Sequence, residues 1–209
     1  MTSKIFGIDF GTSSIKIYKK NDGIVFSQKN IIAISRGKKV LAIGDEAFEM
    51  FGKAPDDIAV TWPVKNGVIA DIASMLALLN HALSQIAKST GKISGAEFIV
   101  AAPTDITEVE KRAFFDLVAS SSVKPKRIRI VEKPIADALG AGLDVTNAHG
   151  VMTVNIGADT TEVSIMSLGG IVLSKLIPVG GNKIDEALIG CVKKKYNLVI
   201  GAKTAETIK

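Results

Sequence analysis

Apolar and polar positions change period several times along this chain, and each change predicts a new element. SKIFGIDFG, at 3–11, is nearly unbroken in its apolar character and predicts a buried strand. SSIKIYKK alternates apolar and polar, Asp22 and Gly23 give a hairpin signal, and GIVFSQ follows, so the first thirty residues predict a β-meander. A smaller strand-and-helix region spans 31–71 and carries KKVLAIGDEAFEMFG and WPVKNG. Residues 72–89 show apolar positions at helical spacing, with Asp71 placed to cap the helix.

EFIVAAP predicts a short buried strand. In TDITEVEKRAFFDLVASS, Thr107 and Glu110 stand at capping-box spacing ahead of an amphipathic helix. RIRIVEKP predicts another strand, and IADALGAGL a small-residue helix stopped by glycine. The pattern then restarts: residues 150–181 predict a second meander with a turn after its first strand, followed by the helix KIDEALIGCVKKKYN. Strand, small-residue turn and strand occur at 5–18 and again at 151–165, which predicts an α/β duplication with two related mononucleotide-binding halves.

Composition narrows the classes. With 209 residues, 47% of them hydrophobic, the chain can bury a proper core. Its apolar runs fall well short of the roughly 20 residues of a membrane span, and no leader opens it, so a soluble protein is expected. A net charge of +5 invites an anionic partner, yet the lysines are scattered and only 5% of residues are aromatic, which argues against nucleic acid. Cys191, His81 and His149 make neither a disulfide nor a metal cluster.

The chemistry concentrates in the two turns. Asp9 is followed by Gly11, Thr12, Ser13 and Ser14, whose N–H and hydroxyl groups suit an anion, while Asp9 suits a hydrated divalent cation. The second turn, NIGADTTE, turns an ordinary hairpin reading into a clamp, because two facing turns can hold one phosphate chain from both sides.

GIDFGTSS, VEKPIADALGAG and NIGADTTEVSIMSLGGIV resemble the phosphate 1, connect 1 and phosphate 2 segments of the actin and heat-shock-70 ATPase superfamily. VLAIGDEAFEMFGKAPDDI, WPVKNGVIAD, APTDITEVEKRAF, VGGNKIDEAL and YNLVIGAKTAETIK extend the likeness to the MreB family of bacterial actins over nearly the whole chain. The resemblance implies an actin-like, ribonuclease H-like α/β fold, with duplicated mixed sheets flanked by helices and an incomplete second half. It implies subdomain IA over 1–32 and 75–144, IB over 33–74, the start of IIA over 145–183 and the start of IIB over 184–209. It also implies ATP with Mg2+ in the cleft and a cytoplasmic protein that self-associates into double, antiparallel filaments. Weak peripheral contact with the inner membrane surface and family morphogenesis partners follow as well.

Carried over residue by residue, the resemblance assigns the phosphates to Gly11, Thr12, Ser13, Ser14, Gly157, Ala158, Asp159, Thr160 and Thr161. It assigns a metal's waters to Asp9 and Asn155, and the attacking water to Thr160. Lys16 resembles the phosphate-contacting lysine of eukaryotic actin and reads equally as an exposed strand lysine.

Several positions depart from the family. Connect 1 has Glu132, Lys133, Pro134 where the family has Glu-Glu-Pro, so a cation stands where a glutamate activates water. Phosphate 2 has Asn155 for an aspartate, and Ala158 and Asp159 for glycines. A charge swap pairing Lys133 with Asp159 across the cleft is one expectation. Family chains continue for roughly 130 further residues, so uncovered core faces are another. The loop TGKISGAEF offers a membrane only Ile93, flanked by Lys88 and Lys92. Three readings follow: a filament protein of cell shape with slow or absent hydrolysis, an active ATPase or phosphotransferase with a repositioned carboxylate, and an inert truncated paralogue. Altered catalytic residues and a lysine-rich composition suit the paralogues that serve helicity and swimming in wall-less bacteria.

Overall fold

The computed structural model describes residues 4–91 and 93–209. In chain order come β1 (Ile5–Phe10), β2 (Ser14–Lys19), β3 (Gly23–Lys29), β4 (Ile32–Ser35), β5 (Val40–Ile43), α1 (Asp45–Met50), β6 (Ile58–Thr61), β7 (Val64–Lys65) and β8 (Val68–Ile69). Then follow α2 (Ile72–Thr90), β9 (Glu97–Ala102), α3 (Glu108–Ala119), β10 (Arg127–Glu132) and α4 (Lys133–Gly140). The last part holds β11 (Val151–Ile156), β12 (Thr161–Ser167), β13 (Gly170–Ile177), α5 (Gly181–Tyr196) and α6 (Ala202–Ile208).

The expected first meander forms, and Gly23 enters β3 with φ of 83°, a conformation that glycine adopts without strain. β1 also pairs in parallel with β9, and β9 with β10, giving a mixed sheet of order β10-β9-β1-β2-β3. Alternation puts Phe6, Ile8, Phe10, Phe98 and Val100 on the face covered by α2 and α3, and all are buried. Phe6 and Phe98 stack with ring centroids 5.5 Å apart. One boundary shifts: β10 ends at Glu132, and Lys133 with Pro134 opens α4, because proline near a helix start lacks only an N–H that would be unpaired there. Ile93 is buried in this core, so the apolar residue of the expected membrane loop is not presented to a lipid surface. Lys92 of that loop lies outside the described residues.

Both expected helix caps are present. Thr107 and Glu110 satisfy each other's backbone N–H groups at the head of α3. Asp71 accepts from the Ser74 hydroxyl at 2.6 Å and its N–H at 3.1 Å, and these bonds hold its carboxyl below the usual range. A depressed folded pKa means that the stabilisation is present above the unfolded value near 4 and is lost as pH falls through the folded one. Asp71→Ala is therefore expected to lower stability at neutral pH by about 1 kcal/mol. The gap should close in urea titrations repeated at progressively lower pH; a gap independent of pH would contradict the cap's ionised role.

Within residues 31–62 a second, smaller core packs Ile31, Ala33 and Ala47 with Phe48, Phe51 and Trp62, while Ile32 of β4 faces the main core. The second meander forms an antiparallel sheet of order β11-β12-β13. Its β12 buries Glu162, Ser164 and Met166 on one face. The opposite face leaves Met152, Val154, Ile156 and Leu173 between 51% and 68% exposed, an apolar surface of the kind that marks a contact region.

Candidate nucleotide cleft

The carboxyl ends of β1, β9 and β10 line up, with Asp9 in register with Ala101 and Ala101 with Val131. Ligands of open α/β sheets sit at that edge. The turn after β1 is tight enough that a Cβ on Gly11 would come within 2.8 Å of the Ser14 carbonyl oxygen. Buried Asn30 draws the turn's carbonyls back, donating from Nδ2 to Gly11 O at 2.8 Å and from its backbone N to Ser13 O at 3.0 Å. The turn is then left with N–H and hydroxyl donors for an anion.

The turn after β11 closes through Gly157 N donating to Thr160 O at 2.8 Å. Its carbonyls are also withdrawn: Gly181 N donates to Gly157 O at 2.9 Å and Asn182 N to Ala158 O at 2.8 Å. The first turn of α5 therefore anchors the loop from behind.

Between these turns lies a cavity of about 360 Å³, within the range of small-molecule sites. Asp9, Gly11, Thr12, Ser13, Ser14 and Lys16 line it from the first half, and Asn155, Gly157, Ala158 and Thr160 from the second, with Lys133 at the head of α4. Two expected phosphate residues do not face it. Thr161 donates its hydroxyl to Val179 O at 2.7 Å. Asp159 accepts from Asn66 N at 2.9 Å and Asn182 Nδ2 at 2.7 Å, so its carboxylate is turned to the β7–β8 turn and α5. There it helps to raise the pKa of Lys183, whose main partner is Glu186.

The expected pairing of Lys133 with Asp159 is corrected by the same geometry. Lys133 Nζ meets Asp9 Oδ1 at 2.5 Å instead, because α4 starts at the strand edge where Asp9 ends. Four residues on, Asp137 occupies the same face of α4 and takes the side-chain amide of Asn155. The expectation that Asp9 and Asn155 order a divalent cation's waters also meets a different arrangement: one carboxylate is held by an ammonium, and the other position is a neutral amide already donating. Among the described residues no group of three or more His, Cys, Asp or Glu side chains is placed to hold a metal. Asp9 and Asn155 are thus committed to Lys133 and Asp137 rather than left free to order a cation's waters.

Asp137 and Glu162 also line the cavity, and the motifs of the two turns assign a role to neither. Asp137 was open to detection, since its spacing from Lys133 is helical. Glu162 is buried and accepts from Thr104 N at 3.0 Å and Thr104 Oγ1 at 2.7 Å, a link between the two halves with no local sequence signal.

The described residues contain no helix long and apolar enough to cross a membrane. The chain is 37% identical over 214 residues to the cell shape-determining protein MreB of Escherichia coli (strain K12), covering all of this chain and 61% of that protein. It is 36% identical over 210 residues to the cell shape-determining protein Mbl of Bacillus subtilis (strain 168), covering all of this chain and 62% of Mbl. The chain thus spans about three fifths of the length of these curated relatives. Among solved structures, MreB5 of Spiroplasma citri bound to ADP superposes with a TM-score of 0.91 at 31% identity, over 100% of this chain and 62% of that one. MamK, solved as a double helical filament, shares the fold with a TM-score of 0.79 at 21% identity, over 100% of this chain and 64% of its own. The family model for MreB/Mbl protein matches residues 3–209, and with both turns, the connecting helix and the duplicated meanders in place, the chain belongs to the MreB/Mbl family.

Proposed function

We propose that this chain is a nucleotide-binding cytoskeletal protein of cell shape that self-associates into filaments and hydrolyses ATP slowly or not at all. The observation that carries the reading is the Lys133 ammonium on Asp9, at the point of the cleft where a proton acceptor would be needed. Phosphates between the turns meet donors from Gly11, Thr12, Ser13 and Ser14 on one side and from Gly157, Ala158 and Thr160 on the other, with Lys16 as a further cation. Thr160 can orient a water, but a protonated lysine cannot take its proton. Glu162 already accepts from Thr104 through Oε1, and Asp137 from Asn155 through Oδ2. Bound nucleotide then works as a clamp between the two halves.

MreB5 of Spiroplasma citri has been crystallised with ADP and with AMPPNP, which supports a nucleotide ligand for the similar cleft here. Family membership supports self-association, a cytoplasmic location and a role in cell shape. The same reading divides the chain into IA (1–32 and 75–144), IB (33–74) and the beginnings of IIA (145–183) and IIB (184–209). Contact with the inner membrane surface would be peripheral, electrostatic and salt-sensitive, since Ile93 is buried. Morphogenesis proteins remain the proposed partners.

Sedimentation with ATP and with AMPPNP, alongside phosphate release, tests this reading. Equal pelleting with either nucleotide and background phosphate release are expected. Turnover at ordinary family rates would favour the second reading, an active ATPase or phosphotransferase, which rests on Asp137 lining the cavity. Asp137→Asn should then abolish the release. Failure to fold or to pellet would favour the inert paralogue.

A further inference from the structure

We propose that Lys133 is the resident cation of the cleft, so that a nucleoside di- or triphosphate binds there without a divalent metal. This rests on the nucleotide reading above and deepens it.

Polyphosphate binding needs positive charge close to the phosphate oxygens, supplied by a metal or by side chains. Here it comes from two lysines, Lys133 and Lys16, set against Asp9, Asp137 and Glu162 on the same lining. Lys133 Nζ lies 2.5 Å from Asp9 Oδ1, and its side chain is only 20% exposed, so the ammonium is fixed at the cavity wall rather than waving in solvent. Its position is set by the fold: Pro134 is buried and starts α4 at the carboxyl edge of the parallel strands. An ammonium has three donors, and one on Asp9 leaves two for phosphate oxygens. Lys16 adds a second cation from the strand opposite, directly across the β1–β2 ladder from Asp9. Asp9 thus sits beside two lysines, on the wall where both donor-bearing turns converge.

A divalent ion would have to displace Lys133 from Asp9 and then sit against that ammonium. The other lining carboxylates already accept hydrogen bonds, Asp137 through Oδ2 from the Asn155 amide and Glu162 through Oε1 from Thr104, and Asn155 itself is neutral. Repulsion between a divalent ion and an ammonium a few ångströms apart is strong in a partly desolvated site. The cleft therefore favours its own lysine over the metal.

The test titrates the full chain with N-methylanthraniloyl-ATP, read by fluorescence, in EDTA and in excess magnesium. The expected result is binding in EDTA with an affinity within about threefold of that in magnesium, since the charge is already present. Lys133→Met keeps the stem and frees Asp9. It should weaken binding in EDTA by about tenfold or more, with magnesium restoring much of the loss, a metal dependence that a merely structural defect would not create. Binding by the unaltered chain only with magnesium would overturn the inference and leave the nucleotide reading standing. Absence of binding in both buffers, with the chain folded by circular dichroism, would overturn both. The comparison of buffers needs no variant, so a Lys133→Met chain that failed to fold would leave the test decisive.

Discussion

Replacing Lys133 with glutamate is expected to raise phosphate release in magnesium from background by about 10²-fold, at the lower end of what a positioned general base contributes. The substitution removes the ammonium from Asp9 and places a carboxylate at the start of α4, opposite the Thr160 turn. Two carboxylates would then face each other where an ion pair stood, and the repulsion would draw in a divalent cation. The gain should therefore be absent in EDTA. Asn155 stays neutral in this variant, which is why the upper end of the range is not expected. Adding Asn155→Asp should increase release further, because it supplies a second acidic group and releases Asp137 from the amide. Single-turnover phosphate release is the measurement. An unchanged rate in a folded Lys133→Glu chain that still binds nucleotide would show that Lys133 is not what holds hydrolysis back.

Gly180→Ala is expected to weaken nucleotide binding by about tenfold or more, although Gly180 is not counted among the cavity-lining residues. Its Cβ would lie 2.5 Å from Ala158 O and 2.6 Å from Gly157 O, both backbone atoms of the second turn. Neither can retreat alone, since the same carbonyls accept from Gly181 and Asn182 N–H groups at 2.9 and 2.8 Å. The whole turn must shift toward the cavity or separate from α5. Gly201→Ala makes a fitting control, because a Cβ there meets nothing within 4 Å. Titration of both variants with the fluorescent nucleotide checks the prediction, and equal affinity in the two would refute it.

The elements were legible because their causes are local. The alternation that buries Phe6, Ile8 and Phe10, the Asp71 and Thr107 caps, and the two small-residue turns each depend on residues a few positions apart. The helix α4 starts at Lys133, ahead of the IADALGAGL pattern, since Lys133 and Pro134 read equally well as the end of a strand. Most candidate residues of the cleft were visible for the same reason as the elements: each turn carries its own donors. Asn30 and Glu162 were not, because their roles are to draw back one turn and to bridge Thr104, and nothing adjacent in the chain signals either.

Sequence alone established the two turns, the repeated meander, the family likeness and the presence of a cation at position 133. Its partner could not be read there. Asp9 and Asp159 were both available, 124 and 26 positions away, and pairing in water depends on distance far more than on separation along the chain. The parallel register of β1, β9 and β10 brings Asp9 to Lys133, while Asn66 and Asn182 hold Asp159 aside. Strand pairing and helix docking set those distances, so the electrostatic character of the cleft is a property of the folded chain.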